Sequence, residues 1–339
     1  MKNELPINEL PFNESELPSM ADDAWMPDRL GDGLEMTYVP MPDDYSGPVR
    51  CTVIRKRLEG AEIGVLYIHG FSDYFFQREM ADEFVAHGYS FYAVDLRKYG
   101  RSYMPGQKMF QVRDISEYFA DIQAGIDCMK ADGCREVVLI GHSTGGLSSS
   151  LYMQQAPDPV VKALVLNSPF LAWNLPAVMR EAGVPVVSAL GRIFPGLPMK
   201  SGGTIHYNAA IARHLGGEWE YDPALKPDIM SDVDAGWIRA IDRAQKALLD
   251  GGIKVPVLLL HSERSVRPGD PLERYHDSDG VLDVRLIAEA GRKLGPDVTE
   301  VTVRGGLHDL ILSRREVRDK VYDVIFHWLS FLGKRDIVV

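Results

Sequence analysis

The chain of 339 residues (37.8 kDa) is 45% apolar and 25% charged, an ordinary composition for a protein with a large buried core. Its 37 basic and 48 acidic residues leave a net charge of −11, which excludes a strongly basic nucleic-acid binder and any general attraction to anionic membranes. Three cysteines, Cys51, Cys128 and Cys134, are too few for a disulfide scaffold and lack metal-ligand spacing, so a reduced, cytoplasmic setting is expected.

The opening MKNELPINELPFNESELPSM has one lysine, repeated glutamates and no unbroken apolar stretch, so it does not read as a signal peptide. No later window of about 18 apolar, uncharged residues predicts a membrane span. The first 45 residues hold eleven acidic residues against Lys2 and Arg29. Residues 1–34 therefore read as an acidic arm, solvated or strapped over the domain, with an interaction tail as the sharper alternative. TYVPMP (37–42) and RCTVIRKRLE (50–59) then read as an edge hairpin, because prolines keep the first out of a sheet centre.

From residue 64 the pattern alternates. GVLYIHG (64–70), SFYAVDL (90–96), EVVLIGHS (136–143) and VKALVLNSPF (161–170) are short apolar runs of the kind that form buried parallel strands. Segments 75–88 and 112–133 carry apolar residues every three or four positions and predict helices. The rhythm resumes after 254 with KVPVLLLHS, a helix near 283–294, VTEVTVRG (298–305) and a closing helix near 315–331. The fold class is α/β: a mostly parallel sheet with helices on both faces, its core spanning 35–170 and 254–335. Residues 171–253 interrupt it with helical patterns at 175–194 and 231–251 and no obvious strand. They read as an inserted helical cap, or alternatively as helices that extend the core layer.

In GHSTGG (141–146), Ser143 falls between a valine-rich strand and a helix, in the strand–turn–helix setting of a G-x-S-x-G nucleophile elbow. Glycines two before and two after keep strand and helix from clashing. Ser143 is the expected nucleophile, with a plain helix cap as the bland alternative. The Thr144 amide then serves as one oxyanion donor, and the Phe71 N–H, after His69-Gly70, is the natural second. His69 reads as a loop brace.

HGFSD (69–73), DLRKYGRS (95–102), GHSTGG and GGLHDL (305–310) resemble, in family order, the landmarks of α/β-hydrolases of the lysophospholipase and monoacylglycerol-lipase-like group, which overlaps serine aminopeptidase-like sequences. The resemblance covers about 35–335. It implies an esterase or lipase acting through serine, acid and histidine, with a small-molecule acyl ester as substrate and no cofactor. Lys98-Tyr99-Gly100 departs from the family's usual glycine-histidine-glycine turn, in a loop away from the catalytic atoms. The scattered histidines imply no metal site, and the chain says nothing of its oligomeric state.

His308, on the loop after the last strand, is positioned to be the base, and Asp309 beside it reads as a loop brace. The acid is displaced. The resembled group has H-G-x-x-D after the strand that here reads KVPVLLLHS, but this chain has His261-Ser262-Glu263-Arg264-Ser265, a serine at the acid position. Reading 264–278 as a local insertion makes Asp279 the acid, with Asp283 as the first alternative and Glu263 or Asp270 behind it. Asp283 equally suits a helix N-cap. The cap's Leu171, Trp173, Leu175, Val178, Met179, Phe194, Leu197, Met199 and Trp237 offer apolar material for an acyl chain. Glu218, Glu220, Asp222 and Asp228 offer acids for a peptide's amino terminus, the aminopeptidase-like alternative. Ser265 keeps a non-catalytic binding protein in play.

Overall fold

The structure, a computed structural model, describes residues 25–335. Its strands are β1 (Met26–Pro27), β2 (Glu35–Asp44), β3 (Gly47–Lys56), β4 (Ile63–Ile68), β5 (Ser90–Asp95), β6 (Glu136–His142), β7 (Val161–Asn167), β8 (Pro198–Met199), β9 (Val233–Asp234), β10 (Val257–Ser262) and β11 (Val298–Val303). Nine of them form one sheet, ordered β1-β2-β3-β5-β4-β6-β7-β10-β11. The β2–β3 hairpin is antiparallel, as its sequence predicts, and joins β5 antiparallel. From β5 to β11 every pairing is parallel.

The central parallel strands are apolar along most of their length because both faces are covered. Side chains alternate along a strand. Leu66, Ile68, Leu139, Leu166 and Leu259 thus face one layer, with α2 (Phe119–Ala131), α3 (Thr144–Gln155) and α7 (Val284–Gly291). Val65, Tyr67, Val138, Val165 and Leu258 face the other, with α1 (Arg78–Ala86) and α8 (Arg315–Arg335). Burying each such aliphatic side chain stabilises the fold by about 1.5–3 kcal/mol. Helix α2 starts later than its periodicity suggests, because Asp114 and Glu117 form a capping box over a 3-10 turn first.

Two features differ from the sequence reading. Most of the acidic arm, residues 1–24, lies outside the described residues, but residues 25–34 are part of the domain: β1 pairs with β2 and becomes the edge in its place. Asp28 there receives Nε and Nη2 of fully buried Arg101 at 2.6 and 2.9 Å, and Asp95 takes its Nη1 at 2.8 Å. The loop that departs from the family turn thus anchors the edge. Its neighbours Arg97 and Lys98 bury their charges against Asp121 and Asp44, each at 2.6 Å.

The second difference lies in the segment between β7 and β10. It holds α4 (Val184–Ile193), α5 (His206–Ile211) and α6 (Ala235–Leu248), preceded by a π-turn at Met179–Gly183. It also contains the short antiparallel pair β8–β9, where no strand was expected. Two-residue strands leave no periodic trace in a sequence.

Candidate active site

Parallel strands with their carboxyl ends on one edge bring distant loops together there. Ile68 pairs with Gly141, and Gly141 with Leu166, so the turns after β4, β6 and β7 begin side by side. The loops after β10 and β11 begin next to them.

Ser143 sits at φ 52°, ψ −116°, a left-handed strained conformation. The glycines around it are required by close approach. A methyl group on Gly145 would lie 2.2 Å from Ile68 O, and one on Gly141 would lie 2.6 Å from Gly145 O. On Gly70 it would meet the Ser143 Cβ at 3.2 Å. Thr144 opens α3, so its N–H has no acceptor within the helix. Phe71 follows Gly70 on the adjoining loop.

His308 Nε2 lies 3.0 Å from Ser143 Oγ, and its Nδ1 lies 2.9 Å from Asp279 Oδ2. With a carboxylate at Nδ1, that nitrogen carries the proton and donates, leaving Nε2 to accept from the serine hydroxyl. Asp279 Oδ1 is held separately by the N–H groups of Val281 and Leu282, at 2.8 and 2.7 Å. All three side chains are buried: Ser143 is 8% exposed, His308 3% and Asp279 1%.

The placement of Asp279 has a local cause. Ser265 and Asp279 form a parallel β-bridge, with Asp279 N–H donating to Arg264 O and Val266 N–H to Asp279 O. The chain leaves at Ser265, makes an excursion and returns beside it, so Asp279 stands next to the position the serine occupies. Asp283 instead caps α7, accepting from Arg285 N–H at 3.0 Å; its bond to the Arg285 side chain holds its carboxyl below the ordinary value. Glu263 and Asp270 are exposed. Arg264 pairs with Asp277, not with Glu263.

His69 braces its loop: Leu96 N–H donates to Nε2 and Nδ1 donates to Gly70 O. Asp309 also braces, accepting from Asn167 Nδ2 at 2.7 Å and Ile311 N–H at 3.1 Å. Around it lies a buried cluster that sequence reasoning missed. The His142 ring lies tilted against that of His308 with centroids 4.9 Å apart, donates Nδ1–H to Asn167 O and lies 3.9 Å from Asp309 Oδ2. Burial holds its imidazole below the ordinary value, hence neutral. Asp73, His142 and Asp309 offer ligand atoms within 4.8 Å of one another, and Lys226 Nζ, 3.2 Å from Asp73, already supplies a positive charge there. Tyr207 Oη accepts the Asp309 N–H and its ring meets His308 edge-on. Asp73 lies in the quoted HGFSD motif, whereas Tyr207 and Lys226 carry no sequence signal.

The apolar residues expected to receive an acyl chain split in two. Leu171 and Trp237 are buried and Trp173 and Met199 half-buried, but Val178 (76% exposed), Phe194 (61%), Met179, Leu197 and Leu175 face outward.

A family profile described as serine aminopeptidase, S33 matches residues 61–313, three-quarters of the chain. The chain belongs to that family. Among curated proteins, this S33 member is 33% identical to epoxide hydrolase 4 of Mus musculus over 106 residues, 31% of the chain and 28% of that protein. It is 35% identical to esterase PIR7B of Oryza sativa over 85 residues, 25% of the chain and 30% of that protein. These matches span less than a third of either relative. Solved structures resemble it over nearly their full length. The Paleococcus ferrophilus monoacylglycerol lipase superposes with a TM-score of 0.61 at 20% identity, covering 88% of this chain and 99% of that one. A soluble variant of the Saccharomyces cerevisiae monoglyceride lipase gives 0.63 at 17%, covering 87% and 97%. Sheet order and superposition together make the S33 member an α/β-hydrolase in fold.

Proposed function

We propose that the chain is a serine hydrolase that cleaves carboxylic esters through an acyl-enzyme. The observation that carries this reading is the continuous array Asp279–His308–Ser143, with both contacts at hydrogen-bond length. In the first step His308 Nε2 takes the serine proton as Oγ attacks the carbonyl carbon. The oxyanion forms beside the N–H groups of Phe71 and Thr144. His308⁺, stabilised by Asp279, then protonates the leaving alcohol. Water, deprotonated by the same nitrogen, releases the acid and restores Ser143.

The finer substrate that the resemblance implies, a monoacylglycerol or lysophospholipid, is supported by the two lipase neighbours. The amide-cleaving alternative draws on the family's description, but the acids offered above for an amino terminus already have partners. Glu218 pairs with Arg318, Glu220 with Arg213, Asp222 with Arg29, and Asp228 with His214. In this reading residues 171–253 act as a cap over the sheet edge. No helix among the described residues is long and apolar enough to cross a membrane, and the cytoplasmic location expected from cysteine usage belongs to the same proposal.

The test is hydrolysis of small alkyl and aryl acetates together with fluorophosphonate labelling. Both should occur in the native chain and disappear in Ser143→Ala. An unlabelled, inactive native protein would overturn the proposal.

A further inference from the structure

The proposed acid and base stand on separate loops, and one short helix of the β7–β10 segment reaches both. Helix α5 is seated on the core through Ile211, which is fully buried in one apolar cluster with Leu307 and Leu312, the residues that flank the His308 turn. Asn208 holds its other side, donating Nδ2 to the carbonyls of Pro227 and Asp228 at 3.2 and 2.8 Å. Consecutive residues of a helix point about 100° apart. His206 and Tyr207, at the start of α5, therefore meet different partners.

Tyr207 reaches the base. Its ring meets the His308 imidazole edge-on with centroids 5.8 Å apart, and its Oη accepts the N–H of Asp309, the next residue, at 3.2 Å. His308 has to aim two nitrogens at once, Nδ1 at Asp279 and Nε2 at Ser143, and turning the imidazole breaks both contacts together. A ring packed against it opposes that turn.

His206 reaches the acid loop. Its ring packs on Tyr275, with centroids 5.3 Å apart. Tyr275 lies over Gly280, the residue after Asp279, so closely that a methyl group on Gly280 would sit 2.5 Å from Tyr275 Cδ1. The acid needs such support. It ends the excursion of residues 266–278, whose outer stretch 267–273 is exposed, and exposed stretches with few contacts are the first to open. Two bridge hydrogen bonds join its backbone to the strand side, Asp279 N–H to Arg264 O at 2.9 Å and Val266 N–H to Asp279 O at 2.8 Å. Tyr275 and His206 tie its other side to the helix that steadies the imidazole.

We infer that α5 is a clamp that keeps acid and base in register, with Tyr207 and Tyr275 as positioning residues for the proton transfer from Ser143. The inference rests on the acyl-transfer reading above. An acid carried on a long excursion can drift from its histidine; one helix touching both loops makes them move together.

The experiment measures phenyl acetate hydrolysis, the rate and final extent of fluorophosphonate labelling, and the downfield proton resonance of His308 Nδ1–H, all in the full chain. Tyr275 lies outside the apolar clusters that form the core, so Tyr275→Ala leaves the core in place. It should lower kcat about 10- to 100-fold with KM changed by less than about threefold, because small misplacements at a proton-transfer site are costly. Labelling should slow by the same factor yet reach the native extent, and the downfield resonance should broaden or vanish. Partial unfolding would instead lower the extent. Tyr207→Ala should behave alike, and Tyr275→Phe and Tyr207→Phe, which keep the rings, should stay within about threefold of the native kcat. Leu272→Ser, 58% exposed on the same excursion, should change nothing. If Tyr275→Ala labels at the native rate and keeps the resonance, or if Tyr275→Phe loses as much as Tyr275→Ala, the inference is overturned. A native chain that labels while Tyr275→Ala labels equally fast removes this inference alone. A native chain that does not label removes the acyl-transfer reading.

Discussion

The acid loop after β10 and the buried cluster around Asp309 both bring a carboxylate close to His308, and they treat it differently. In the acid loop, two backbone N–H groups fix Asp279 Oδ1 and leave Oδ2 for the imidazole. Asp309 is the residue next to His308, yet its carboxylate turns to Asn167 and to Ile311 N–H. Both are almost wholly buried, at 1% exposure. Burial and nearness in sequence therefore do not make a triad acid. What matters is which way the backbone around the carboxylate makes it point.

The sharpest way to break this comparison is Asp279→Asn. It should lower kcat on an activated ester by about 10,000-fold while the unfolding midpoint shifts little, because the histidine tautomer depends on that carboxylate. A comparable loss in Asp309→Asn would mean that the two acids have been assigned the wrong way round.

Removing the cation on the other side tests the cluster's structural role. Lys226 and Asp73 are both buried, so Lys226→Met leaves a buried carboxylate uncompensated and should cost about 3–5 kcal/mol in urea unfolding. Asp309→Asn comes next. It weakens the acceptor for Asn167 and Gln77 and should cost about 1–3 kcal/mol, with kcat reduced less than tenfold.

The cluster also predicts a pH dependence. Native His142 is held neutral below its ordinary titration range, so in acid the unfolded chain binds a proton that the folded chain does not. This contribution is complete above about pH 6.5 and is lost as the pH falls from there through the lower folded value, at up to about 1.4 kcal/mol per unit. His142→Gln should show a flatter stability profile between pH 7 and 5. The smallest effect belongs to Asp283→Ala, which removes the cap of α7 for about 1 kcal/mol and leaves turnover intact.

The two regions were not equally legible in the sequence. Ser143 and His308 could be placed because an elbow and a post-strand loop have local requirements that one stretch of chain must meet. Asp279 was within reach because the bridge partner Ser265 marks a gap in an otherwise readable pattern. The cluster was not, because Tyr207 and Lys226 approach Asp309 and Asp73 from the β7–β10 segment, and no spacing rule connects residues so far apart. The outward direction of Val178 and Phe194 was hidden for a related reason: an apolar helical stripe says that one face differs from the other without saying which is covered. The pairing of β1 beyond the hairpin was equally invisible, since two residues are too few to show a period.

That first strand bears on where the folding unit begins. Arg101 lies fully buried between Asp28 and Asp95, and Arg55 stacks on Trp25 while its guanidinium binds Glu35 and Asp132. A chain trimmed to residue 35 would keep the whole hairpin and every residue of the proposed triad, yet it would strand a guanidinium in the interior with one carboxylate in place of two. Keeping that charge fully paired therefore requires the chain from Asp28 onward, seven residues before the hairpin that looks like its natural edge.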